Sequence, residues 1–585
     1  MSSNIVKEIY STIFKIVPEN IKKQLLLCQF VILLNSILQI IISLLFIPYI
    51  SLIVNKDEII KYLPLIYRNH IETISQGFFI FEITVLFFLL IIIGLIVSIL
   101  NDYYIYKISG KIKTYIQKNL FVTFLKKNYL YFTKISSSEI SKVINEESNK
   151  IDQITFASLN FISNFLLLFV FIVFFFIKSF YFSVIMLLFS VLVFLFNKIY
   201  ITNRVKSLGG IIGTFFEKRT KLLNESIEGI KEVKVNRLEY KTTKNFEFYT
   251  EKYNGTYVNY NILLNIPKYL VIFILYSSIA LLLVISVLYN SDKNFILDIA
   301  FLGVSALRIV PSLQAIISSI VSINFHKEVI KLLKSEKIDY KFAFEKQHHN
   351  NIVDKITTNS IVVNNLTFEY IAGKIVLGNI NFEIKENSFV GIAGSSGAGK
   401  TTLVNILLGL LNPTSGNVYV NGIDLNLESY DSLKSFLAYV PQQTFLFDDT
   451  IANNICLNEK VDITRLKQSL EIACCDFVVS DEYLFNEFVG ERGVKLSGGQ
   501  RQRIGIARAI YSTSPIIFFD ESTSALDDFT CNKIIENLKN ISHKRLIFFI
   551  THKESNLEMM NKILYINKRQ TLMFDSYQSY SKFLN

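Results

Sequence analysis

The sequence predicts two halves of different fold class, a membrane half of α-helices and an α/β half built around a phosphate-binding loop. Two observations carry that prediction. Six apolar stretches long enough to cross a bilayer recur before about residue 325. Beyond them, Gly394-Ser395-Ser396-Gly397-Ala398-Gly399-Lys400-Thr401-Thr402 stands between an apolar run, 388–393, and a helix-forming run, 402–408. Strand, glycine-rich loop and helix is the context in which G-x-x-x-x-G-K-[ST] binds nucleotide phosphates. The glycines let successive backbone N–H groups turn inward on a phosphate, and the helix N-terminus adds its partial positive charge. Lys400 is expected to reach the β- and γ-phosphates, and the Thr401 hydroxyl to hold Mg²⁺.

Composition agrees with this division. A chain of 585 residues has room for two or more domains. Its mean hydropathy of +0.38, with 51% hydrophobic residues and 50 Phe, is too apolar for a soluble chain of this size. The net charge of +11 reads as cytoplasmic loops of a membrane protein rather than as a nucleic-acid surface. Cys28, Cys456, Cys474, Cys475 and Cys531 show no metal-ligand spacing and fit a reducing compartment. Residues 1–24 are polar, so no cleavable signal peptide is expected.

The six spans are 25–54, 77–100, 155–177, 180–201, 263–289 and 296–323. Only Lys178 and Ser179 separate the third from the fourth, which makes that pair a tight hairpin. Between spans two and three, and again between four and five, lie about 55–60 polar residues with helical periodicity. Each such segment can descend about 35–40 Å from the membrane and return as two helices. Basic residues such as Lys111, Lys113, Lys126, Lys127, Arg204, Lys206, Lys218 and Arg219 gather on these excursions. The positive-inside rule therefore puts the excursions, and the phosphate-binding half, in the cytoplasm.

Polar residues within spans are few. Arg308 lies three residues before Pro311 in span six. An arginine at mid-bilayer costs about 2.5–3.5 kcal/mol and is expected to face a watery cavity. Lys268 follows Pro267 near the start of span five, where it either snorkels or joins that cavity. Asn35, Ser36 and Gln39 form a stripe on span one that reads as helix–helix hydrogen bonding. The expected domains are 1–330 in the membrane, a linker at 331–358 and a nucleotide-binding domain at 359–585. His348-His349 in the linker has no third ligand nearby and is not read as a metal site.

In the second half, Ile516-Ile517-Phe518-Phe519-Asp520-Glu521 is an apolar strand ending in two carboxylates. Such a strand delivers Asp520 to a Mg²⁺ shell, while Glu521, one residue on, projects differently and is placed to polarise the attacking water. Tyr370 ends the strand-like run 361–370 and offers a ring for stacking on a purine. Ser497-Gly498-Gly499-Gln500 precedes the helical run 501–510 and forms a second phosphate-binding helix end. Two phosphate sites in one domain make sense if they meet across a dimer.

This half resembles the nucleotide-binding domain of an ATP-binding-cassette (ABC) transporter. The marks are the loop, the 516–521 strand and the Leu496-Ser497-Gly498-Gly499-Gln500 signature. Others are Val440-Pro441-Gln442, Gly490-Glu491-Arg492-Gly493, Ser524-Ala525-Leu526-Asp527 and Ile550-Thr551-His552. The resemblance covers about 360–570 and implies ATP and Mg²⁺ as cofactors. It implies that Gln442 joins the metal shell and senses the γ-phosphate, and that His552 contacts that phosphate. By the same likeness, Ser497 and Gly499 close over ATP held by a second subunit, and Asp527 lies at the dimer seam. Lys553 stands where the family commonly has arginine. Six spans ahead of one such domain resemble the exporter type of half-transporter. The expected fold is the type I ABC exporter fold, six transmembrane helices plus an α/β P-loop ATPase domain, with a second copy of the chain as partner. In that family the excursion tips, here near 129–138 and 227–236, dock on the nucleotide-binding domain.

The membrane half is similar to bacterial flippases of lipid-linked oligosaccharides, through Ala306-Leu307-Arg308-Ile309-Val310-Pro311-Ser312, Ile266-Pro267-Lys268-Tyr269, and Lys127-Asn128-Tyr129 with Ser138-Glu139-Ile140. In those proteins cavity cations meet a polyprenyl pyrophosphate; Arg308 and Lys268 fall at such positions, while a further basic position is Ala315 here. The segment 58–67 fits the external amphipathic helix that those flippases carry. The likeness implies a lipid-linked cargo crossing the bacterial inner membrane. The alternative is an exporter of peptides, drugs or another lipid such as lipid A core. A soluble ATPase acting on nucleic acid is excluded by the six spans.

Overall fold

Long apolar stretches in lipid must satisfy their backbone internally, which favours helices. The computed structural model describes residues 14, 16–54, 76–178, 195–288, 293–326, 359–385, 388–425, 433–457, 459–479, 481–567 and 569–584. The chain forms two compact units, 1–126 with 136–342 and 127–135 with 343–585.

The first unit is helical. Its helices are α1 (Glu19–Val54) and α2 (Gln76–Leu125), then, beyond the short α3 (Tyr129–Lys134) that belongs to the other unit, α4 (Ser137–Lys142) and α5 (Ser148–Lys178). They are followed by α6 (Thr202–Glu228), α7 (Ile230–Val235), α8 (Glu239–Leu288) and α9 (Lys293–His326). Among the described residues, Glu19–Ser43, Phe81–Leu125, Glu139–Val173 and Ile309–His326 are long and apolar enough to cross a membrane. Span five is the C-terminal half of α8. Most of span four, the loop 55–75 with its proposed amphipathic segment, and the linker with His348-His349 lie outside the described residues.

At 50 residues each, α2 and α8 are roughly 75 Å long, more than twice the hydrocarbon thickness. Span and excursion are thus one continuous rod in both cases. The polar stripe of α1 joins helices. Gln39 Nε2 donates to Gly94 O at 3.2 Å and Ser98 Oγ at 2.7 Å, and Ser98 donates to Asn35 Oδ1 at 3.0 Å. Gly94 lets the two helices approach closely: a Cβ there would press on the tip of the Ile42 side chain on α1.

The second unit holds two sheets. An antiparallel sheet has the order β2-β1-β4-β5, from β1 (Ser360–Glu369), β2 (Ile375–Lys385), β4 (Ser415–Val420) and β5 (Ile423–Asp424). The larger sheet has the order β10-β9-β3-β8-β7-β6. Its strands are β3 (Phe389–Gly394), β6 (Leu437–Val440), β7 (Ile516–Asp520), β8 (Leu546–Ile550), β9 (Lys562–Asn567) and β10 (Gln570–Phe574). All neighbours in it are parallel except β9 and β10. Every residue of β7 and β8 is buried, as expected of parallel strands covered on both faces. Phe519 and Phe549 feed the core on one face, Phe518 and Phe548 the core on the other. Helices α10 (Lys400–Leu407), α11 (Ile463–Ile472), α12 (Gly498–Tyr511), α13 (Asp528–Ile541) and α14 (Tyr577–Leu584) complete the unit. The short α3 packs here as well, through Leu130 on the core containing Phe518 and Phe548.

Candidate functional site

The site lies where parallel strands end, as expected for an open α/β sheet. β3 runs into the phosphate-binding loop, in which Gly397 (φ 80°) and Gly399 (φ 100°) occupy the left-handed region that glycine tolerates. At Gly399 a Cβ would also press on Leu377. Helix α10 then starts at Lys400, whose Nζ donates to the carbonyls of Gly394 and Ser395, each at 3.0 Å. Burial pulls the Lys400 ammonium below its ordinary pKa, against the pull of Glu521 and Asp520. The loop residues Ser395, Ser396 and Ala398 lead into Thr401 and the buried Thr402. Tyr370 reaches the same helix: its hydroxyl lies 3.3 Å from Thr402 Oγ1, and Phe368 meets its ring edge-on at 4.8 Å.

Three further loops follow β6, β7 and β8. Asp520, buried at the end of β7, accepts hydrogen bonds from the Tyr439 hydroxyl at 3.2 Å and from Thr401. Burial pushes its carboxyl up, and those hydrogen bonds oppose the shift. Glu521 has φ 46°, a costly backbone for a non-glycine residue, and such strain clusters at functional sites. Its carboxylate gathers the other two loops. Gln442 Nε2 donates to Oε2 at 2.8 Å, and His552 Nε2 lies 2.9 Å from Oε1. Gln442, Glu521 and His552 thus meet at one carboxylate.

The signature forms a second cluster. Ser497 caps α12, its Oγ accepting from Gln500 N at 3.2 Å while Gln500 Oε1 accepts from Ser497 N at 2.8 Å. Gly498 and Gly499 make the first turn of α12, with room for a Cβ at Gly499 limited by Ala525 O and Leu526. Asp527 caps α13 by accepting from Thr530 N at 2.9 Å, and that backbone bond leads the causes that hold its carboxyl below the ordinary range.

Two residues carry more of the site than their sequence positions announce. Gln502, buried in α12, donates to Gln442 O at 3.1 Å and Ser524 Oγ at 3.3 Å and accepts from Ala525 N at 3.1 Å. It knits the Gln442 loop, the signature helix and the 524–527 turn together. Tyr439 is the other. Its signal was slight: a phenol in an apolar strand needs a partner when buried.

In the membrane unit, Lys268 lies in α8 with Nζ 5.9 Å from the Tyr269 ring centroid. Arg308 lies in α9, three residues before Pro311; its side chain is outside the described residues.

The residues fit the groups they imply. Thr401 hydroxyl, Asp520 carboxylate and the Gln442 amide oxygen are hard oxygen donors of the kind Mg²⁺ takes alongside phosphates. Among the described residues no group of three His, Cys, Asp or Glu forms a dedicated metal cage. Left-handed glycines before a helix N-terminus suit a phosphate.

A phosphate-binding loop, a strand-end carboxylate pair and a capped signature helix, behind a helical membrane unit, define a membrane-bound nucleotide-binding cassette. Comparison with known proteins agrees. The ABC transporter profile matches residues 377–524, and the ABC transporter transmembrane region profile matches 25–311. The chain belongs to the ABC transporter family. It is 33% identical over 276 residues to the Beta-(1→2)glucan export ATP-binding/permease protein NdvA of Brucella suis biovar 1 (strain 1330), covering 46% of this chain and 45% of that one. It is 35% identical over 240 residues to a putative export ATP-binding/permease protein of Rickettsia typhi, covering 40% and 42%. The chain thus spans less than half the length of the curated relatives it matches. A solved bacterial Atm1-family ABC exporter with ATP bound aligns over 97% of each chain with a TM-score of 0.78 and 20% identity. That likeness establishes the type I ABC exporter fold. The cassette carries the parts of an ATP-hydrolysing transporter.

Proposed function

We propose that the chain is half of an ATP-driven exporter that flips a lipid-linked oligosaccharide across the bacterial inner membrane by alternating access, with its cassette in the cytoplasm. The observation that carries the ATPase reading is the convergence of Gln442 and His552 on the Glu521 carboxylate. When bound, ATP supplies the phosphoanhydride and Mg²⁺ neutralises its charge. Thr401, Asp520 and Gln442 hold the metal, and Lys400 and the loop N–H groups from Gly394 to Thr402 hold the phosphates. Tyr370 stacks on the base. Glu521 takes the proton of the attacking water, with His552 and Gln442 fixing its orientation.

The working form is a dimer of two such chains. Ser497, Gly498, Gly499, Gln500 and Asp527 cap or open helices at one surface cluster, and each cluster closes over the nucleotide held by the partner. Helix α7 supports a second copy too, since none of its residues is buried and Val235 is 80% exposed. Closure of the dimer drives the membrane helices between inward- and outward-facing states.

The cargo reading rests on the resemblance of the 306–312 and 266–269 stretches to oligosaccharide flippases. Arg308 and Lys268 meet the pyrophosphate while the apolar tail stays in lipid. The glucan named for the NdvA relatives favours a second reading, a free glucan. Export of peptides, drugs or another lipid such as lipid A core is the remaining class.

Proteoliposomes holding a labelled polyprenyl-pyrophosphate oligosaccharide test this, with Glu521→Gln as the inactive control. ATP should move the glycan out of reach of a glycosidase on one side, and Glu521→Gln should abolish the movement. ATP hydrolysis without movement of this cargo, alongside movement of free glucan, would replace the first reading by the second.

A further inference from the structure

We propose that Tyr439 is a positioning residue of the Mg²⁺ site and ties that site to the short helix α3. β6 and β7 run parallel with Tyr439 opposite Phe518, and residues two apart on a strand share a face. Tyr439, Phe518 and Asp520 therefore project to one side of the sheet. There the Tyr439 hydroxyl donates to Asp520 Oδ2 at 3.2 Å.

The same side chain and helix α3 rest on one core. Tyr439 and Leu130 both pack against the core that contains Phe518 and Phe548. Tyr129, the first residue of α3, stands close enough for its phenol to act electrostatically on that of Tyr439. One side chain therefore bonds the metal-binding carboxylate at its polar end and packs on the same core as Leu130 of α3.

A metal-binding carboxylate works only when its oxygens are aimed, and the groups that hydrogen-bond it do the aiming. Tyr439 holds Oδ2 of Asp520, which restricts the rotation of the whole carboxylate. Displacing Leu130 disturbs the core on which the Tyr439 ring rests, and the ring carries the hydroxyl with it. The route runs through β6, the strand before Gln442, and reaches the Asp520 carboxylate directly.

This inference rests on the reading that Thr401 and Asp520 hold Mg²⁺, and the test separates the two. The full-length chain in detergent is titrated with Mn²⁺ in the presence of a non-hydrolysable ATP analogue, with free Mn²⁺ read by electron paramagnetic resonance. Affinity for a fluorescent ATP analogue in EDTA reports whether the loop remains folded. Tyr439→Phe should raise the Mn²⁺ half-saturation about tenfold and leave the EDTA affinity unchanged. Leu130→Ala should raise it about threefold in the wild-type chain and leave it unchanged in the Tyr439→Phe background, because its route is already cut. Asp520→Asn should raise the half-saturation further than Tyr439→Phe does.

An unchanged half-saturation in Tyr439→Phe, with Asp520→Asn defective, would overturn the role of Tyr439. Equal shifts by Leu130→Ala in both backgrounds would overturn the link to α3. Full Mn²⁺ binding by Asp520→Asn would overturn the metal reading beneath both.

Discussion

The two units cover their apolar residues in opposite ways. In the cassette, β7 and β8 bury every side chain against the chain itself, with Phe518 stacked on Phe548 at 4.7 Å and Phe519 beside Phe549 at 5.7 Å. In the membrane unit, only 6% of the apolar window of Phe81–Leu125 is buried among the described residues, against 44% for Glu19–Ser43. The rest of that window is not covered by the described residues. The cassette thus holds its stability in its own packing, whereas the membrane unit borrows much of its stability from its surroundings.

The buried cysteines give each unit its own reporter. Cys28 lies in α1, while Cys456, Cys474, Cys475 and Cys531 lie in the cassette. Phe519→Ala should be the most damaging change to the cassette, about 3–5 kcal/mol, since it opens a cavity in a core that also contains Cys474 and Cys531. Thermal scanning with a thiol-reactive probe, read by peptide mass spectrometry, should show those two cysteines reacting at lower temperature. Cys28 should keep its wild-type profile. Simultaneous exposure of Cys28 would show that the two units unfold together and break the comparison.

Next in size is Lys400→Ala. The Lys400 ammonium sits buried on two loop carbonyls and is the one positive side chain in the loop sequence 394–402. Its removal should lower ATP turnover about 10²- to 10³-fold, near 3–4 kcal/mol, and weaken nucleotide binding as well. Retention of both activities would contradict the phosphate-binding reading. Thermal exposure of the cassette cysteines should change little, which sets this chemical effect apart from the packing effect of Phe519→Ala.

The same contrast explains what was legible in the sequence. Gly394 to Thr402 and the run ending in Asp520-Glu521 declare themselves because their spacing is imposed by local geometry: a glycine loop that turns before a helix N-terminus and a buried strand that ends in two carboxylates. Gln502 and Tyr439 do not, because their partners Gln442 and Asp520 are 60 and 81 residues away in sequence: only the packing of α12 against the Gln442 loop joins the first pair, and only the pairing of β6 with β7 the second. In the membrane unit hydropathy marks helices α1, α2, α5 and α9, since length and apolarity alone decide a span. It is silent on cargo: a lone Arg308 or Lys268 states a charge within a helix, and the recognising surface depends on how several helices assemble. The polar stripe of α1 lay between these extremes, legible as a stripe while its partners Gly94 and Ser98 were not.

That stripe supplies the smallest effect and the sharpest contrast. Gln39 makes two hydrogen bonds to α2, yet its Oε1 is buried without a partner, so the wild-type side chain already forfeits part of what it gains. Interhelical hydrogen bonds within membranes average about 0.6 kcal/mol, because the separated helices find other partners in the bilayer. Gln39→Leu removes both bonds together with the unpaired oxygen. Ser98 keeps its bonds to Asn35 at 3.0 Å and to Gly94 O at 2.9 Å. The expected loss is therefore below about 1 kcal/mol, read as a small shift in the temperature at which Cys28 reacts, with the cassette cysteines unmoved. A loss matching that of Phe519→Ala would mean that α1 and α2 are held chiefly by this polar contact. The close approach at Gly94, rather than the hydrogen bonds, is the feature that predicts the smaller number.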